Sequence, residues 1–272
     1  MRLHLFEFED LDWFPQTLRD QITELLQHQL DSRGVYLCIV PVIAELMEHT
    51  GANCIIDLGS GSGGDVIRLQ KEIDAALRRP VEFRLTDKFP NLEAFRRIEA
   101  ETAGRVGHIA DPVDATNVPD DLKGVRTLFT AFHHFRSDFA RQILDDAIQA
   151  RSPIFIAEFT ERDFFTVIRS IVLGPFVALA DSANIRPFGW RRLLWTYLIP
   201  LTPFLYTWDA AVSHLRTYSR AELKGLVSRL TASDYTWQIG QVPVQEVGNR
   251  RIRASRYITY LIGRPSRPVT AN

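Results

Sequence analysis

Apolar positions in this chain fall into two rhythms, and the way the rhythms alternate predicts the architecture. Near the start, "TLRDQITELLQHQL" sets Leu18, Ile22, Leu25, Leu26 and Leu30 at helical spacing just after Pro15. "VYLCIVPVIAELMEHT" predicts a second apolar helix, bent or begun at Pro41. From residue 53 onward, short apolar runs of strand type take turns with amphipathic helices. "NCIIDL" reads as a strand, and "GDVIRLQKEIDAAL" then puts Val66, Leu69, Ile73 and Leu77 on one helical face. "VEFRLTD" and "NLEAFRRIEAETA" repeat the pair. "RVGHIADPVDA" is a weak third strand and "VRTLFTAF" a fourth. "SDFARQILDDAIQAR" follows as a helix with Ser137 as its expected N-cap, and "SPIFIAEF" is a fifth strand. Such alternation predicts a doubly wound α/β fold, a parallel sheet with helices on both faces.

After Phe159 the rhythm stops, and residues from about 160 to 217 are apolar, aromatic-rich and punctuated by proline. It resumes with "SRAELKGLVSRLTA", a helix whose Ser219 and Glu222 form a capping box. "DYTWQIGQVP" and "SRYITYLIG" read as two last strands joined by a hairpin through "VGNRRIR". The expected plan is an N-terminal helical cap over 1–50, an α/β core over 51–160, an apolar helical insertion or lid over 161–217, and a C-terminal helix and hairpin over 218–272.

Composition narrows the function. A chain of 272 residues, 46% hydrophobic and 24% charged, can bury the core of one large domain. Its formal net charge of -1 argues against a nucleic-acid partner. Cys38 and Cys54 lie in apolar runs and read as reduced core residues. The acidic opening "MRLHLFEFEDLDWFP" lacks a secretory layout, so a cytoplasmic location is expected. No uninterrupted apolar run reaches the roughly 18 residues of a membrane span. The nearest stretch, Leu193 to Trp208, is broken by Pro200 and Pro203, and a soluble protein is expected.

The chemistry begins at "CIIDLGSGSGGDVIRLQ". A glycine turn between a strand and a helix brings backbone N–H groups against a ligand. Gly59, Gly61 and Gly64 fit the dinucleotide pattern G-x-G-x-x-G, whereas Asp57 with Gly59, Gly61 and Gly63 fits the D-x-G-x-G-x-G loop of S-adenosylmethionine (SAM) enzymes. A carboxylate at Asp57 would repel a pyrophosphate but suits a cationic amino acid and a sulfonium. Asp57 also reads as a loop-stabilising acceptor, and the two roles are compatible. Asp87, closing "FRLTD", stands where an acid accepts ribose hydroxyls in either kind of site. Asp114 and Ala115 form an acid–small pair suited to an adenine amine, though an Asp there also makes turns. No G-x-x-x-x-G-K-[ST] occurs, and no tyrosine precedes a lysine by four positions.

On "IIDLGSGSGGD", "LTDKFPN", "DATNVP" and "LFTAFHHF" the chain resembles the class I SAM-dependent methyltransferases of small molecules. The resemblance is most specific over residues 50–160 and looser over "LRTYSRAEL" and the final hairpin. It implies SAM as cofactor and a Rossmann-like seven-stranded sheet of order 3-2-1-4-5-7-6 with strand 7 antiparallel. It assigns Gly59, Gly61 and Gly63 to the methionine side, Asp87 to the ribose and Asp114 to the adenine; Lys88, Ala115 and Thr130 are further candidate cofactor contacts. The acceptor site would lie near the ends of the fourth and fifth strands. Candidate catalytic residues there are His133, His134, Glu158 and His214, and candidate acceptor contacts are Phe132, Trp195, Tyr206 and Asp209. Related methyltransferases often carry a His-His pair without using either as base. Thr130-Ala131-Phe132 stands where catechol-type enzymes carry acidic metal ligands, so no metal is expected unless distant segments supply its ligands.

The insertion reads in three ways: a lid around an apolar acceptor, a membrane-surface element with Trp190, Trp195, Trp208, Arg191 and Arg192, or core and dimer packing. The expected function is methyl transfer to O, N or C of a largely apolar or aromatic small molecule. A SAM-binding protein that does not methylate, or a lipid methyltransferase at a membrane surface, stands beside it. Oligomeric state is not legible.

Overall fold

The computed structural model describes residues 2–230, 234–244 and 256–266. Its centre is one seven-stranded sheet, order β3-β2-β1-β4-β5-β7-β6. β1 (Cys54–Leu58), β2 (Glu82–Thr86), β3 (Val106–His108), β4 (Val125–Phe129) and β5 (Ile154–Glu158) are mutually parallel. β6 (Tyr235–Pro243) and β7 (Tyr257–Pro265) pair antiparallel, and β7 joins β5 antiparallel. The expected order and the one reversed strand are both found. The connecting turn "VGNRRIR" lies outside the described residues.

Both faces of the sheet are buried, as a parallel sheet requires. On β1, Ile55 packs with Val66, Leu69 and Ile73 of α3 (Val66–Leu77) and with α2 (Val40–Thr50). Its neighbour Ile56 faces the other way, onto Ile143 and Leu144 of α5 (Ser137–Gln149) and Leu223 of α9 (Arg220–Val227). α4 (Leu92–Glu101) adds Phe95 and Ile98 to the first layer. The capping box of Ser219 and Glu222 opens α9, with both reciprocal hydrogen bonds formed. Ser137 is not an N-cap. That position belongs to Arg136, whose extended backbone precedes the helix, and Ser137 is the first helical residue.

The region after β5 is helical. α6 (Phe164–Ser182) and α8 (Leu201–Arg216) pack as a pair, joined by α7 (Trp190–Leu193) and one π turn over Leu194–Leu198. Gly174 permits the close approach: a Cβ there would lie 2.7 Å from Thr207 Oγ1. α1 (Gln16–Arg33) lies against both helices, with its Leu25 buried against Ala178 and Ile185. α1 and the insertion therefore form one helical layer, whereas α2, also within the expected cap, packs on the sheet face beside α3. Of the described helices, α6 alone is long and apolar enough to cross a membrane, which corrects the choice of Leu193 to Trp208 as the most membrane-like stretch. Little of α6 is covered: Phe164, Phe165 and Phe176 are 71%, 79% and 66% exposed.

Candidate functional site

The strand order reverses between β1 and β4, and a crevice opens at their carboxyl ends, as the geometry of doubly wound sheets requires. The crevice widens into a cavity of about 460 Å³. The glycine loop forms one wall. Gly59, Gly61 and Gly63 have φ of 70°, 57° and 96°, conformations that L-residues rarely adopt. Asp57, at 6% exposure, accepts hydrogen bonds from Ser60 Oγ and Thr127 Oγ1, both at 2.7 Å. Both oxygens hold the loop to the sheet, and Asp57 also lines the cavity. Burial pushes its carboxyl up to about 6, against the pull of those two hydroxyls.

Asp87 stands across the loop. Its Oδ2 accepts from Gly61 N–H at 2.7 Å and its Oδ1 from Phe89 N–H at 2.8 Å. Lys88 Nζ lies 3.2 Å from Asp12 Oδ1 on the exposed rim. Asp114 Oδ1 accepts from Thr116 N–H and its hydroxyl, an Asx turn that presents Asp114 and Ala115 at the cavity wall. Thr130, with φ of 52°, hydrogen-bonds Tyr36 and forms part of the floor.

A second cavity of about 140 Å³ adjoins the first and shares Glu9, Leu26, Thr130 and His134 with it. Its far walls come from α6 and α8: Leu173, Gly174 and Val177 on one side, Tyr206, Asp209 and His214 on the other. Tyr206 donates its hydroxyl to Gln29 Oε1 at 2.7 Å. Asp209 accepts from Phe8 N–H at 2.8 Å. Burial, with Glu9 and Glu7 nearby, pushes its carboxyl up to about 9. His214 Nδ1 lies 3.0 Å from the Glu161 carbonyl, and burial lowers its pKa to about 4, so the ring is neutral at pH 7.

His133 and His134 sit side by side in a short 3-10 turn after β4, ring centroids 4.3 Å apart. His133 is buried, with Nδ1 2.8 Å from Glu158 Oε2, and its own N–H donates to Glu158 Oε1 at 3.0 Å. Burial alone would raise the Glu158 carboxyl, but His133 holds it below the usual range. His134 Nδ1 lies 2.7 Å from Asp10 Oδ1. Burial would lower this imidazole, yet Glu7, Asp10 and Glu9 raise it well above an ordinary histidine.

Two expected acceptor contacts lie elsewhere. Phe132 is fully buried in the sheet–α5 core, its ring packed on Tyr218, because the 3-10 turn points it away from the helical layer. Trp195 is half-buried in the π turn and lines neither cavity. Conversely, the acidic N-terminal segment enters the site unannounced. Glu7 is fully buried beside both histidines, and Arg216 of α8 bridges Glu7 at 2.7 Å and Asp10 at 2.6 Å. The only signal was the spacing of acids in "FEFED", which has no local periodicity to mark it. Tyr36 was likewise hidden inside an apolar run.

The glycine loop, the acid closing β2 and the sheet order decide the fold. The chain has a Rossmann-like, doubly wound fold of sheet order 3-2-1-4-5-7-6, the order expected of a SAM-dependent methyltransferase. No family model matches it, and neither does any curated protein. Among solved structures it is similar to the mitomycin 7-O-methyltransferase MmcR, at 16% identity over 85% of this chain and 54% of that one, TM-score 0.47. It is also similar to NcsB1, an O-methyltransferase from neocarzinostatin biosynthesis in complex with S-adenosyl-L-homocysteine and 1,4-dihydroxy-2-naphthoic acid. That match has 15% identity over 89% and 56% of the two chains, TM-score 0.49. The methyltransferase domain of bacterial CtHen1 matches at 11% identity over 85% and 98%, TM-score 0.47. This chain spans just over half the length of MmcR and NcsB1. Likeness at this level concerns the outline of the fold alone.

Proposed function

We propose that this protein transfers a methyl group from SAM to O, N or C of a small, largely apolar molecule. One observation carries the reading: a cavity walled by the glycine loop and Asp87 adjoins a smaller one walled by α6 and α8, where Leu173 and Val177 stand opposite Asp209 and His214, and the two share Thr130 and His134. The residues fit SAM better than a dinucleotide. Asp57, Asp87 and Asp114 line the first cavity, a setting that suits a cation and repels a pyrophosphate. SAM bound there supplies an electrophilic methyl on its sulfonium.

This chain's residues then position the acceptor. Leu26, Phe159, Leu173 and Val177 of the second cavity would pack on an apolar body beside the shared wall. His134 stands on that wall, held by Asp10 in its charged form, and so stabilises negative charge on an acceptor oxygen more readily than it removes a proton. Neutral His214 lines the same cavity, its Nδ1 held against the Glu161 backbone. Incubation with SAM and a panel of apolar and polar hydroxylated or aromatic compounds tests the proposal. Release of S-adenosylhomocysteine in step with acceptor methylation supports it. Cofactor binding with no such release from any compound favours a binder that does not methylate.

The uncovered face of α6 favours a second reading of the acceptor. Leu173, Gly174 and Val177 of α6 line the acceptor cavity, while its Phe165 and Phe176 are exposed outside. A helix apolar on both sides suits an acceptor that arrives from a membrane surface. Co-sedimentation with anionic vesicles, reduced by Phe165→Asp, supports that route. A protein left wholly in the supernatant removes it.

A further inference from the structure

We propose that Glu7, His133 and His134 form a binding site for one divalent transition-metal ion beside the second cavity, which both histidines line. One potential ligand atom from each residue lies within 4.8 Å of the others. Glu7 Oε1 is 3.9 Å from His133 Nε2, and Glu7 Oε2 is 3.6 Å from His134 Nδ1, so an ion there displaces the proton that His134 shares with Asp10. Ligands held at about 2.0–2.2 Å from an ion lie roughly 3–3.5 Å apart in tetrahedral or octahedral geometry, so shifts of about an ångström close the site. Two imidazoles with carboxylates suit zinc, manganese, iron or cobalt rather than calcium.

His133 is the independent pointer. It is 1% exposed, and its Nε2 faces Glu7 without a hydrogen-bond partner. Its Nδ1 is fixed against Glu158 Oε2 at 2.8 Å, so the proton sits there and the lone pair of Nε2 faces inward. A carboxylate behind a histidine in this way is how ligating imidazoles are usually oriented. Arg216 plays the corresponding part for Glu7, holding it at 2.7 Å.

Charge points the same way. The carboxylates of Glu7, Glu9, Asp10 and Glu158 surround the histidine pair, and Arg216 is the guanidinium bonded among them. One arginine leaves a surplus of negative charge that a divalent cation offsets. The expectation of no metal rested on Thr130-Ala131-Phe132 at the end of β4. The acid instead arrives from the N-terminal segment, which sequence order places far from the histidines. The site does not depend on the methyltransferase reading. If that reading holds, the ion sits beside the acceptor and polarises an oxygen there.

The test is Co2+ titration of chelator-stripped full-length protein, read by visible absorption and by metal content after equilibrium dialysis. Wild type and the exposed-residue control His49→Gln are expected to bind one Co2+ per chain, displaced by Zn2+. Affinity should fall at least tenfold in His133→Ala and in the near-isosteric Glu7→Gln, with circular dichroism establishing that each is folded. No stoichiometric binding by folded wild type overturns the proposal. Undiminished binding by the doubly substituted Glu7→Gln/His133→Ala protein overturns it equally. Either result leaves S-adenosylhomocysteine binding, measured separately, to judge the proposed function.

Discussion

The carboxylate of Asp87 accepts the Gly61 N–H at 2.7 Å, which ties the end of β2 to the glycine loop opposite it. That bond links two parts of the site that the chain separates: the loop after β1 and the acid after β2. The same carboxylate also accepts from Phe89 N–H, so its orientation is set from both sides.

Asp87→Asn keeps the shape and loses the charge. Charge-assisted hydrogen bonds contribute about 1.5–3 kcal/mol. Affinity for S-adenosylhomocysteine should therefore fall by roughly ten- to a hundredfold, with a small drop in melting temperature because the amide accepts from only one of Gly61 and Phe89. Calorimetric Kd and melting temperature, measured together, check this; an unchanged Kd takes Asp87 out of the site.

Gly63 and Gly64 should respond differently to alanine. Gly63 has φ of 96° and a Cβ there would sit 2.3 Å from Ile98 Cδ1, so backbone strain and a clash add. Gly64 has φ of 49° and open space beside it. Strained positive-φ positions cost of order 1–3 kcal/mol, so Gly63→Ala should lie at the upper end and Gly64→Ala at the lower. Urea unfolding of the two variants checks the order, and equal losses would contradict it.

His214 sets a pH dependence of stability. Its folded pKa, about 4, lies below the ordinary 6.5. The unfolded chain therefore binds this proton more readily, and the contribution of neutral His214 is present above pH 6.5 and lost as pH falls towards 4. The difference corresponds to about 3 kcal/mol at most. His4, also pushed down to about 4, adds to the same slope. His214→Gln should flatten the fall in unfolding free energy across that window, and a slope identical to wild type would show that His214 is not the group responsible.

Val177 faces the second cavity alone, and not the first. Val177→Trp should fill acceptor space, raising KM for an apolar acceptor or abolishing its turnover, while Kd for S-adenosylhomocysteine stays within about twofold. Equal damage to both would contradict the division of the site into two cavities.

The sheet was legible because its signals are local. "CIIDL", "EFRLT" and "IFIAE" carry strand periodicity, and the glycines and Asp87 follow strands at fixed positions. The floor beneath the histidines was not. Glu7 and Asp10 belong to an irregular segment, and only the fold carries them to His133 and His134. Phe132 was misjudged for a related reason: one 3-10 turn decides which way consecutive residues point, sending Phe132 into the core and His134 to the cavities. The apolar length of α6 was overlooked because Arg169 and Pro175 interrupt its sequence without ending the helix.

The most direct test is calorimetric titration of S-adenosylhomocysteine into the wild-type protein, with NAD as the comparison ligand. The account predicts one S-adenosylhomocysteine site per chain and no measurable heat from NAD. A folded protein that binds NAD, or that leaves S-adenosylhomocysteine unbound, would contradict the assignment of the glycine loop and everything built on it.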